Sequence, residues 1–322
     1  MSFLWSCLIS FALCYVLVPP VIGLAWRIGA VDVPCDWRRM HPESIPRAGG
    51  VAIYLAFTVA CLMLGRPSPF LSCTLGGGAL LLAVGLADDI FCLGAMTKFF
   101  FQIAAAVASV LGCGIASGWN AFFAIIWVLL LTNAHNFIDG LDGLFAGCAA
   151  IEGVALSIAC FACGATPVAL PPLLLSLACL AFRSFNRFPA QIFAGDCGSG
   201  TVGFLLGMLS LPLLALGTTP LRTLAPLLIF AYPLTDLITA VLRRILRGKS
   251  PFLADRGHLH HRICDAGVIQ PQCVSLLLLI SGALSLLGVL LASGRYPLGA
   301  SLGCLCCVVL LVRIRGFIVK IV

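Results

Sequence analysis

The sequence predicts an all-α polytopic membrane protein. Its 322 residues are 61% hydrophobic and only 10% charged, and the mean hydropathy of +1.13 lies far above the range of soluble proteins. Apolar runs of about 18 to 22 residues recur along the whole chain, and each is long enough to cross a hydrocarbon layer of ~30 Å. No segment reads as an appended soluble domain, so residues 1–322 are expected to form one transmembrane domain.

Eleven transmembrane helices are expected, and the fifth and seventh look short. The first apolar run has no basic segment before it and no small-residue cleavage site after it, so we expect a retained helix and not a signal peptide. In chain order, the spans are expected near residues 3–24, 48–65, 70–87, 99–117, 119–134, 144–163, 168–182, 200–217, 222–241, 272–292 and 298–312.

The basic residues are divided unequally between the two sides that alternating spans define. Sixteen of the nineteen Lys and Arg residues fall on one side, and Arg66, Arg222 and Arg295 fall on the other. Because Lys and Arg are enriched in cytoplasmic loops, the N-terminus is expected outside and the C-terminus in the cytoplasm. An asymmetry of this size also favours an odd number of spans.

Most acidic residues gather on the same side as the basic ones. Ten of the twelve fall in cytoplasmic loops or at cytoplasmic helix ends, which leaves Glu152 and Asp236 inside spans. A charged group at the bilayer centre costs at least ~2.5 kcal/mol. We therefore expect Asp236, which has no basic residue within four positions, to be functional or to have a partner on another helix.

Four polar clusters reach the cytoplasmic face, and the first contains Asp88, Asp89 and Lys98. Two carboxylates about 4 Å apart repel by about 4 kcal/mol at an effective dielectric near 20. A nearby cation is therefore expected, either a divalent metal or the Lys98 ammonium group. The simpler alternative is two solvated acids at the end of a helix.

The second cluster follows the fifth span. Asn133 and Asn136 are three residues apart and share one helical face, and the glycines of the DGLDG segment then place Asp139 and Asp142 on a loop. Carboxylate and amide oxygens of this kind suit Mg²⁺. A plain capped turn is the alternative.

The third cluster, residues 185–207, leads into the eighth span, which is expected to begin near Ser199. A glycine-rich approach to a helix N-terminus offers backbone N–H groups to an anion, and Asp196 beside it could hold a metal against a phosphate. Alternatively, Ser199 merely caps the helix while Gly203 and Gly207 allow close helix packing.

The fourth cluster, residues 232–263, combines several basic residues around Arg243 with His258, His260 and His261. The basic residues could simply anchor the span at anionic lipid headgroups. A transition-metal site that includes the next cysteine along the chain is an alternative for the histidines, although the other clusters supply hard oxygen ligands.

Together the clusters offer oxygen ligands for Mg²⁺, an anion site and cationic donors for phosphates, all at one membrane surface. That set suits phosphoryl transfer between a soluble phosphate ester and a membrane-bound acceptor. A transporter is the rival class, but it predicts polar groups at the middle of the bilayer. The gathering of ten acids on one side argues against it.

In their order along the chain, these clusters resemble the polyprenyl-phosphate N-acetylhexosamine-1-phosphate transferase family, also called glycosyltransferase family 4. Residues 31–50, with their Asp-x-Pro, basic-x-His and Pro-Arg-x-Gly-Gly elements, look like the family's first cytoplasmic loop. The remaining motifs are DDxxxL with its downstream Lys (Asp88 to Lys98), NxxNxxDGxDGL (Asn133 to Leu144), NxxPAxxFxGDxGS (Asn186 to Ser199) and SPFxxDRxHxHH (Ser250 to His261).

The resemblance implies a reaction in which undecaprenyl phosphate attacks the β-phosphorus of a UDP-N-acetylhexosamine and UMP leaves. It implies a bacterial inner-membrane enzyme with cytoplasmic active-site loops at residues 25–47, 88–98, 133–143, 183–199 and 242–271. The partners would be the UDP-sugar, the lipid phosphate and the bilayer, with no nucleic acid. Relatives form dimers, so the resemblance allows a homodimer.

The resemblance also implies roles for individual residues. Mg²⁺, with Mn²⁺ as a permitted substitute, would be held by Asn136 and Asp196. Catalytic positions would be Asp88, Asp89, Lys98, Asp139, Asp142 and His258, with Asp88 as the candidate that deprotonates or orients the lipid phosphate. Substrate-binding positions would be Asn133, Asn186, Gly195, Ser199, Arg243, Arg256, His260 and His261.

The HLHH sequence at residues 258–261 looks like the branch of the family that uses simple UDP-N-acetylhexosamines. The branch that transfers phospho-MurNAc-pentapeptide usually carries three consecutive histidines. UDP-GlcNAc, or a modified relative, is therefore the expected donor, in the first step of a cell-surface polysaccharide. Direct attack is favoured over a route through an aspartyl-phosphate, and a lipid phosphatase is a further alternative.

Overall fold

The computed structural model describes residues 2–33, 43–114, 118–215, 223–248, 250 and 257–294. These residues form twelve helices and one two-stranded antiparallel sheet, β1 (Val31–Asp32) and β2 (Ile45–Pro46). The helices are α1 Ser2–Ile28, α2 Gly49–Leu62, α3 Pro69–Phe91, α4 Ala95–Gly112, α5 Gly118–Ile138, α6 Leu144–Ala162, α7 Thr166–Asn186, α8 Asp196–Ala215, α9 Ala225–Ile229, α10 Ala231–Leu246, α11 Leu259–Asp265 and α12 Gln270–Ser293.

Eight of the described helices are long and apolar enough to cross a membrane, namely α1, α3 to α8 and α12. α2 is also apolar but has only 14 residues. The all-α polytopic fold that the hydropathy predicts is confirmed. The eleventh expected span, residues 298–312, lies outside the described residues, and the orientation in the membrane stays a prediction.

Several helices differ from the expected spans, and α4 and α8 begin four residues earlier than expected, at Ala95 and Asp196. α5 and α7 continue beyond the predicted ends at residues 134 and 182, to Ile138 and Asn186. Hydropathy ends a span at its first polar residues, whereas the helical backbone continues through them. The expected ninth span is divided at Phe230, whose ψ of 17° separates α9 from α10. Because α5 continues past residue 134, Asn136 lies on its last turn.

Local sequence signals fix where α3 begins and ends. A proline occupies its first turn, and the Ser68 hydroxyl accepts a hydrogen bond from the Leu71 N–H at 3.2 Å, as at a typical helix N-cap. At the other end Cys92 adopts a left-handed conformation with φ of 52°. This stop leaves Asp88 and Asp89 near the end of α3, where both are buried.

α8 is the central helix of the site and packs against α2, α3 and α5. All its residues from 197 to 213 are buried. A Cβ at Gly203 would lie 2.6 Å from the Leu131 carbonyl oxygen, and one at Gly207 would lie 3.1 Å from the Val128 Cα. The two glycines therefore allow α5 and α8 to approach closely, which confirms the packing alternative for them.

Both acids predicted inside spans have partners on other elements. Glu152 of α6 lies 2.7 Å from His135 Nε2 of α5, and both side chains are fully buried. Asp236 of α10 lies 2.7 Å from Nδ1 of His258, which precedes α11. Asp236 therefore has a partner outside its own helix, as expected, and Glu152 has one on a neighbouring helix.

Candidate active site

A backbone junction joins the segment after β2 to the segment that leads into α8. The Phe193 N–H donates to the Pro46 carbonyl at 2.8 Å. The Gly50 N–H donates to the Ala194 carbonyl at 3.0 Å. The two loops, which are almost 150 residues apart in sequence, are therefore fixed against each other beside the end of α3.

A charged cluster lies where α3, α4 and α8 meet. Lys98 Nζ is 3.0 Å from an oxygen of Asp88 and 2.5 Å from an oxygen of Asp196. One carboxylate oxygen from each of Asp88, Asp89 and Asp196 lies within 4.8 Å of the others. The cation expected beside the aspartate pair is present as Lys98, which confirms that expectation.

Asp89 occupies the N-terminus of α8. Its Oδ1 accepts a hydrogen bond from the Asp196 N–H at 3.0 Å, and its Oδ2 accepts one from the Cys197 N–H at 3.1 Å. A Cβ at Gly195, which has a φ of +73°, would lie 3.0 Å from the Asp89 Cγ. The sequence suggested that these N–H groups are open to a phosphate, but in the structure the anion they bind is a carboxylate of the chain itself.

The two asparagines of α5 lie in separate hydrogen-bonded sets. Asn136 Nδ2 donates to the Ser199 hydroxyl at 3.0 Å, and that hydroxyl donates to the Gly195 carbonyl at 3.0 Å. Asn133 Nδ2 donates to Gln102 Oε1 of α4 at 2.9 Å. Asn136 thus faces α8 and Asp196, whereas Asn133 faces the gap between α4 and α5.

The DGLDG loop between α5 and α6 is held by the loop that follows α7. Asn186 Oδ1 accepts a hydrogen bond from the Gly143 N–H at 3.1 Å, and Asp142 Oδ2 accepts one from the Ala190 N–H at 3.0 Å. Asn186 is 2% exposed, and its Nδ2 also donates to the Ile192 carbonyl at 2.9 Å. In this structure both groups of the Asn186 amide bind backbone.

Asp139 follows α5 directly and lines the first cavity together with Asp142 and Asp196. Burial, together with the nearby carboxylates of Asp196, Asp89 and Asp142, raises the pKa of Asp139 to about 8. Its protonated form is therefore favoured near neutral pH, because several negative charges share one poorly solvated region. A cation bound among these groups would reverse that effect.

The histidine segment is attached to α10 through Asp236. Oδ2 of Asp236 lies 2.7 Å from His258 Nδ1, and its Oδ1 accepts a hydrogen bond from the Leu259 N–H at 2.9 Å. The rings of His258 and His260 are stacked with their centroids 5.5 Å apart, and the His261 ring is tilted against that of His260 at 4.3 Å.

The three histidines have different surroundings. His260 is 1% exposed, and a Cβ at Gly140 would lie 3.1 Å from its Cε1. Burial lowers the pKa of His260 to about 3, so its ring is neutral at physiological pH and packs against the DGLDG loop. His258 and His261 instead line cavities.

The basic residues near the histidine segment also differ in position. The Arg243 side chain lies against Gly257, where a Cβ would be 2.5 Å from its Nε. Arg244 lies over the Phe137 ring, with its Cζ 5.1 Å from the ring centroid. Arg256, predicted to bind substrate, lies outside the described residues.

The acidic cluster has the properties of a divalent-metal site. Among the described residues none hydrogen bonds to Oδ1 of Asp88, although this atom is buried. Such an oxygen needs a partner, and carboxylate and amide oxygens are the ligands that Mg²⁺ prefers. Asp88, Asp196 and Asn136 therefore fit a magnesium ion.

Two cavities meet at this cluster. The first, of about 640 Å³, is lined mainly by polar residues of the loops, including Asp139, Asp142 and His261. The second, of about 780 Å³, has Lys98 at its polar end and is lined mainly by apolar side chains of α4, α5 and α10. Among the described residues the two cavities share Asn136 and Asp196.

Arg47, Gln102 and Arg244 line the cavities but were not predicted individually from the sequence, although Arg47 and Arg244 lie in the expected active-site loops 25–47 and 242–271. Arg47 lines the polar cavity, and the other two line the apolar one. The Pro-Arg-x-Gly-Gly element contained a signal for Arg47. Gln102 is four residues after Lys98, so the helical repeat places both on one face of α4.

Comparison with known proteins gives a consistent assignment. The family model described as "Glycosyl transferase family 4" matches residues 71–214, a stretch that runs from α3 to α8. A Bacillus subtilis (strain 168) protein, named as a probable undecaprenyl-phosphate N-acetylglucosaminyl 1-phosphate transferase, is 30% identical over 302 residues, which cover 89% of this chain and 84% of that protein.

Two further relatives have similar names. A decaprenyl-phosphate N-acetylglucosaminephosphotransferase of Mycolicibacterium smegmatis is 33% identical over 311 residues, covering 81% of this chain and 75% of its own length. An undecaprenyl-phosphate α-N-acetylglucosaminyl 1-phosphate transferase of Escherichia coli (strain K12) is 29% identical over 293 residues, covering 83% of this chain and 78% of its own.

Proposed function

The chain belongs to glycosyl transferase family 4, and from this we propose that it transfers N-acetylglucosamine 1-phosphate from UDP-GlcNAc to undecaprenyl phosphate. The products are undecaprenyl-diphosphate-GlcNAc and UMP. The relatives of this chain are named for this transfer to undecaprenyl or decaprenyl phosphate. The donor nucleotide, the metal and the residue roles are our inferences from the site.

One observation carries the proposal: a polar cavity and an apolar cavity meet at Asn136 and Asp196. The reaction joins a water-soluble sugar nucleotide to a lipid, and the two reacting phosphorus centres must come together. One cavity lined by a majority of polar residues and one lined by a majority of apolar residues, with a shared wall, satisfy both requirements.

The polar cavity suits the nucleotide sugar. It is lined by carboxylates and by loop residues such as Phe193 and His261, which offer acceptors for sugar hydroxyls and an aromatic ring for a base. Its acidic lining would repel a diphosphate unless a cation is bound with it. The donor is therefore expected to enter together with a divalent cation.

The apolar cavity suits the isoprenoid acceptor. Side chains such as Phe99, Leu130 and Leu237 line its walls, and Lys98 and Arg244 supply positive charge. An isoprenoid chain gains about 0.8 kcal/mol for each buried CH₂ group. Lys98 and Arg244 would bind the phosphate that ends it.

Asp88, Asp196 and Asn136 would hold the metal. When bound, Mg²⁺ neutralises phosphate charge and polarises the phosphorus centre that is attacked. Lys98, which contacts both Asp88 and Asp196, would orient the attacking phosphate beside them. Mn²⁺ is expected to substitute for Mg²⁺.

In the reaction an oxygen of the lipid phosphate forms a bond to the β-phosphorus of the donor. The bond between that phosphorus and the bridging oxygen breaks, and the bridging oxygen leaves with UMP. Asp88 would orient the lipid phosphate or accept its proton. Direct attack is proposed because a phosphate anion is already a nucleophile; formation of a labelled phospho-enzyme without lipid acceptor would contradict it.

We place the enzyme in a bacterial inner membrane with its active-site loops in the cytoplasm, where UDP-sugars are made. This placement follows from the excess of Lys and Arg on the loop side. The product would initiate a cell-surface polysaccharide such as an O-antigen or a wall polymer. Assembly as a homodimer stays a prediction.

The test is UMP release by the purified protein in detergent, with undecaprenyl phosphate and either Mg²⁺ or EDTA. UDP-GlcNAc and UDP-MurNAc-pentapeptide are offered separately. Release that requires lipid, metal and UDP-GlcNAc supports the proposal, whereas release with the pentapeptide donor alone would assign the peptidoglycan branch. UMP release without lipid would indicate hydrolysis. If no UMP is released with either donor or with other UDP-N-acetylhexosamines, the proposed transferase activity is refuted.

A further inference from the structure

The two adjacent aspartates at the end of α3 have opposite hydrogen-bonding states. Asp89 receives two backbone N–H groups of α8 and the guanidinium of Arg47, whose Nε is 3.3 Å from Asp89 Oδ1. Its side chain is 1% exposed. Asp88 has one oxygen on Lys98 and the other without a partner among the described residues. Both oxygens of the Asp89 carboxylate therefore have hydrogen-bond donors, whereas one oxygen of Asp88 is available to bind a cation.

Arg47 holds the end of α3 as well as the Asp89 side chain. Its Nη2 donates to the Asp89 carbonyl at 3.3 Å and approaches the Asp88 carbonyl at 3.5 Å. Carbonyl groups in the last turn of a helix carry partial negative charge, and that of Asp88 also accepts the Cys92 N–H at 2.8 Å. One guanidinium therefore neutralises both the helix end and the carboxylate.

Arg47 is itself fixed relative to α8. Its neighbour Pro46 accepts the Phe193 N–H, and its own carbonyl oxygen would lie 2.7 Å from a Cβ at Gly195. Arg47 Nη1 also lies 3.6 Å from Asp32 of β1. The guanidinium thus connects the sheet, the end of α3 and the start of α8.

We propose that Arg47 and Asp89 are a positioning pair: they join the end of α3 to the start of α8, so that Asp88 and Asp196 face one cation, and Asp89 is not a ligand of that cation. The proposal deepens the proposed function, since the cation is the one that serves phosphoryl transfer. Asp89 acts as a built-in anion for the α8 N-terminus, a place that the reaction's phosphates do not occupy.

The first test measures cation binding without turnover. Mn²⁺ is titrated into the purified protein in detergent, and free Mn²⁺ is followed by electron paramagnetic resonance. Asp196→Asn and Asp88→Asn are expected to abolish the site. Asp89→Asn is expected to keep one saturable site, weakened by about 10- to 100-fold as for residues outside the ligand shell.

The second test asks whether Arg47 acts through Asp89. Transfer of sugar phosphate is measured for Arg47→Ala, Asp89→Asn and the double variant. Each single change is expected to lower kcat by about 10- to 100-fold, and the double variant is expected to be no worse than the poorer single one. Arg47→Lys keeps the charge but not the planar fork, so it should restore little activity. Arg66→Ala, exposed at the opposite end of α3, is the control and should match the wild type.

Three outcomes would overturn the proposal. They are loss of the Mn²⁺ site in Asp89→Asn, multiplicative losses in the double variant, and full activity in Arg47→Lys. A wild-type protein that binds no Mn²⁺ would also refute the shared cation. If the protein transfers no sugar phosphate, the proposed function fails, but the Mn²⁺ titrations still decide whether Asp89 is a ligand.

Discussion

Two helices at the site begin against a carboxylate from another helix, and the group behind that carboxylate differs. At α8 the carboxylate is Asp89, and the guanidinium of Arg47 lies behind it at 3.3 Å. At α11 the carboxylate is Asp236, and the imidazole of His258 lies beside it at 2.7 Å. In both places a negative charge satisfies N–H groups that have no intrahelical partner.

Each carboxylate, together with the side chain beside it, forms a junction at the start of a helix. The difference between the two junctions matches the difference in size between α8 and α11. α8 has 20 residues and is almost entirely buried, whereas α11 has seven. A guanidinium is permanently charged and offers five donors, so it can bind a carboxylate and a helix end together. An imidazole offers fewer. The first junction is therefore part of the core of the bundle, and the second attaches a short segment to it.

The largest expected effect comes from removing each carboxylate. Asp89→Ala takes the carboxylate away from the Arg47 guanidinium and leaves the N–H groups of Asp196 and Cys197 without their acceptor, and we expect a loss of about 3–5 kcal/mol in unfolding free energy. Asp236→Ala should cost about 1–3 kcal/mol, because it frees one N–H group and one imidazole. Thermal unfolding in detergent measures both, with Ser275→Ala, an exposed position, as control. Equal losses would mean that the two junctions are energetically alike.

A methyl group at Gly140 should disturb the second junction and spare the first. The His260 ring fills the space that a Cβ would need, so Gly140→Ala should displace the histidine segment and lower kcat/KM by about 10- to 100-fold. Adding His260→Ala should recover part of the loss. Gly200→Ala is the control, since a Cβ there meets nothing within 4 Å. Unchanged activity in Gly140→Ala would show that the segment is not held at this contact.

The acidic loop between the two junctions should make stability depend on pH. The pKa of Asp139 is raised from 3.8 to about 8, so the folded state binds more protons than the unfolded state between these values. Its contribution to stability is full below about pH 4 and is lost as pH rises to about 8, with a slope of at most ~1.4 kcal/mol per pH unit. Metal-free unfolding from pH 5 to 8 measures it. Asp139→Asn should flatten the curve, and an unchanged slope in that variant would contradict the assignment.

The smallest effect is expected from a change at the buried pair between α5 and α6. His135 Nδ1 lies 2.9 Å from the Leu131 carbonyl, which can only accept, so Nδ1 carries the hydrogen of this contact. The other ring nitrogen, Nε2, faces Glu152 at 2.7 Å. In Glu152→Gln the amide can donate to Nε2, and the loss should stay below about 1 kcal/mol. Glu152→Leu should cost more, because Nε2 of His135 loses its partner. Thermal unfolding that ranks the two variants equally would exclude this hydrogen bond as the stabilising contact.

The sequence was sufficient for the membrane fold and for the grouping of polar residues. Hydropathy located the described spans, and sparse charges in an apolar chain directed attention to Asp88, Asp196 and Asn136. The predicted helix ends were wrong where polar residues continue a helix, as at the end of α5. Hydropathy measures transfer to lipid and not backbone hydrogen bonding.

The different roles of the neighbouring residues Asp88 and Asp89 could not be predicted from the sequence. Asp88 and Asp89 are identical in type and next to each other, yet one has an unpartnered oxygen and the other receives the start of α8. That difference depends on α8 and Arg47, which are distant in sequence. The same limit applied to the glycine-rich segment before α8, whose expected phosphate site is filled by Asp89.

The shared wall of the two cavities has a kinetic consequence. Since the nucleotide sugar and the lipid would occupy separate spaces that share only Asn136 and Asp196 among the described residues, both can be bound at once. We therefore expect no compulsory order of binding. Each product can also leave by the route that its precursor took, so UMP should compete with the sugar nucleotide and not with the lipid.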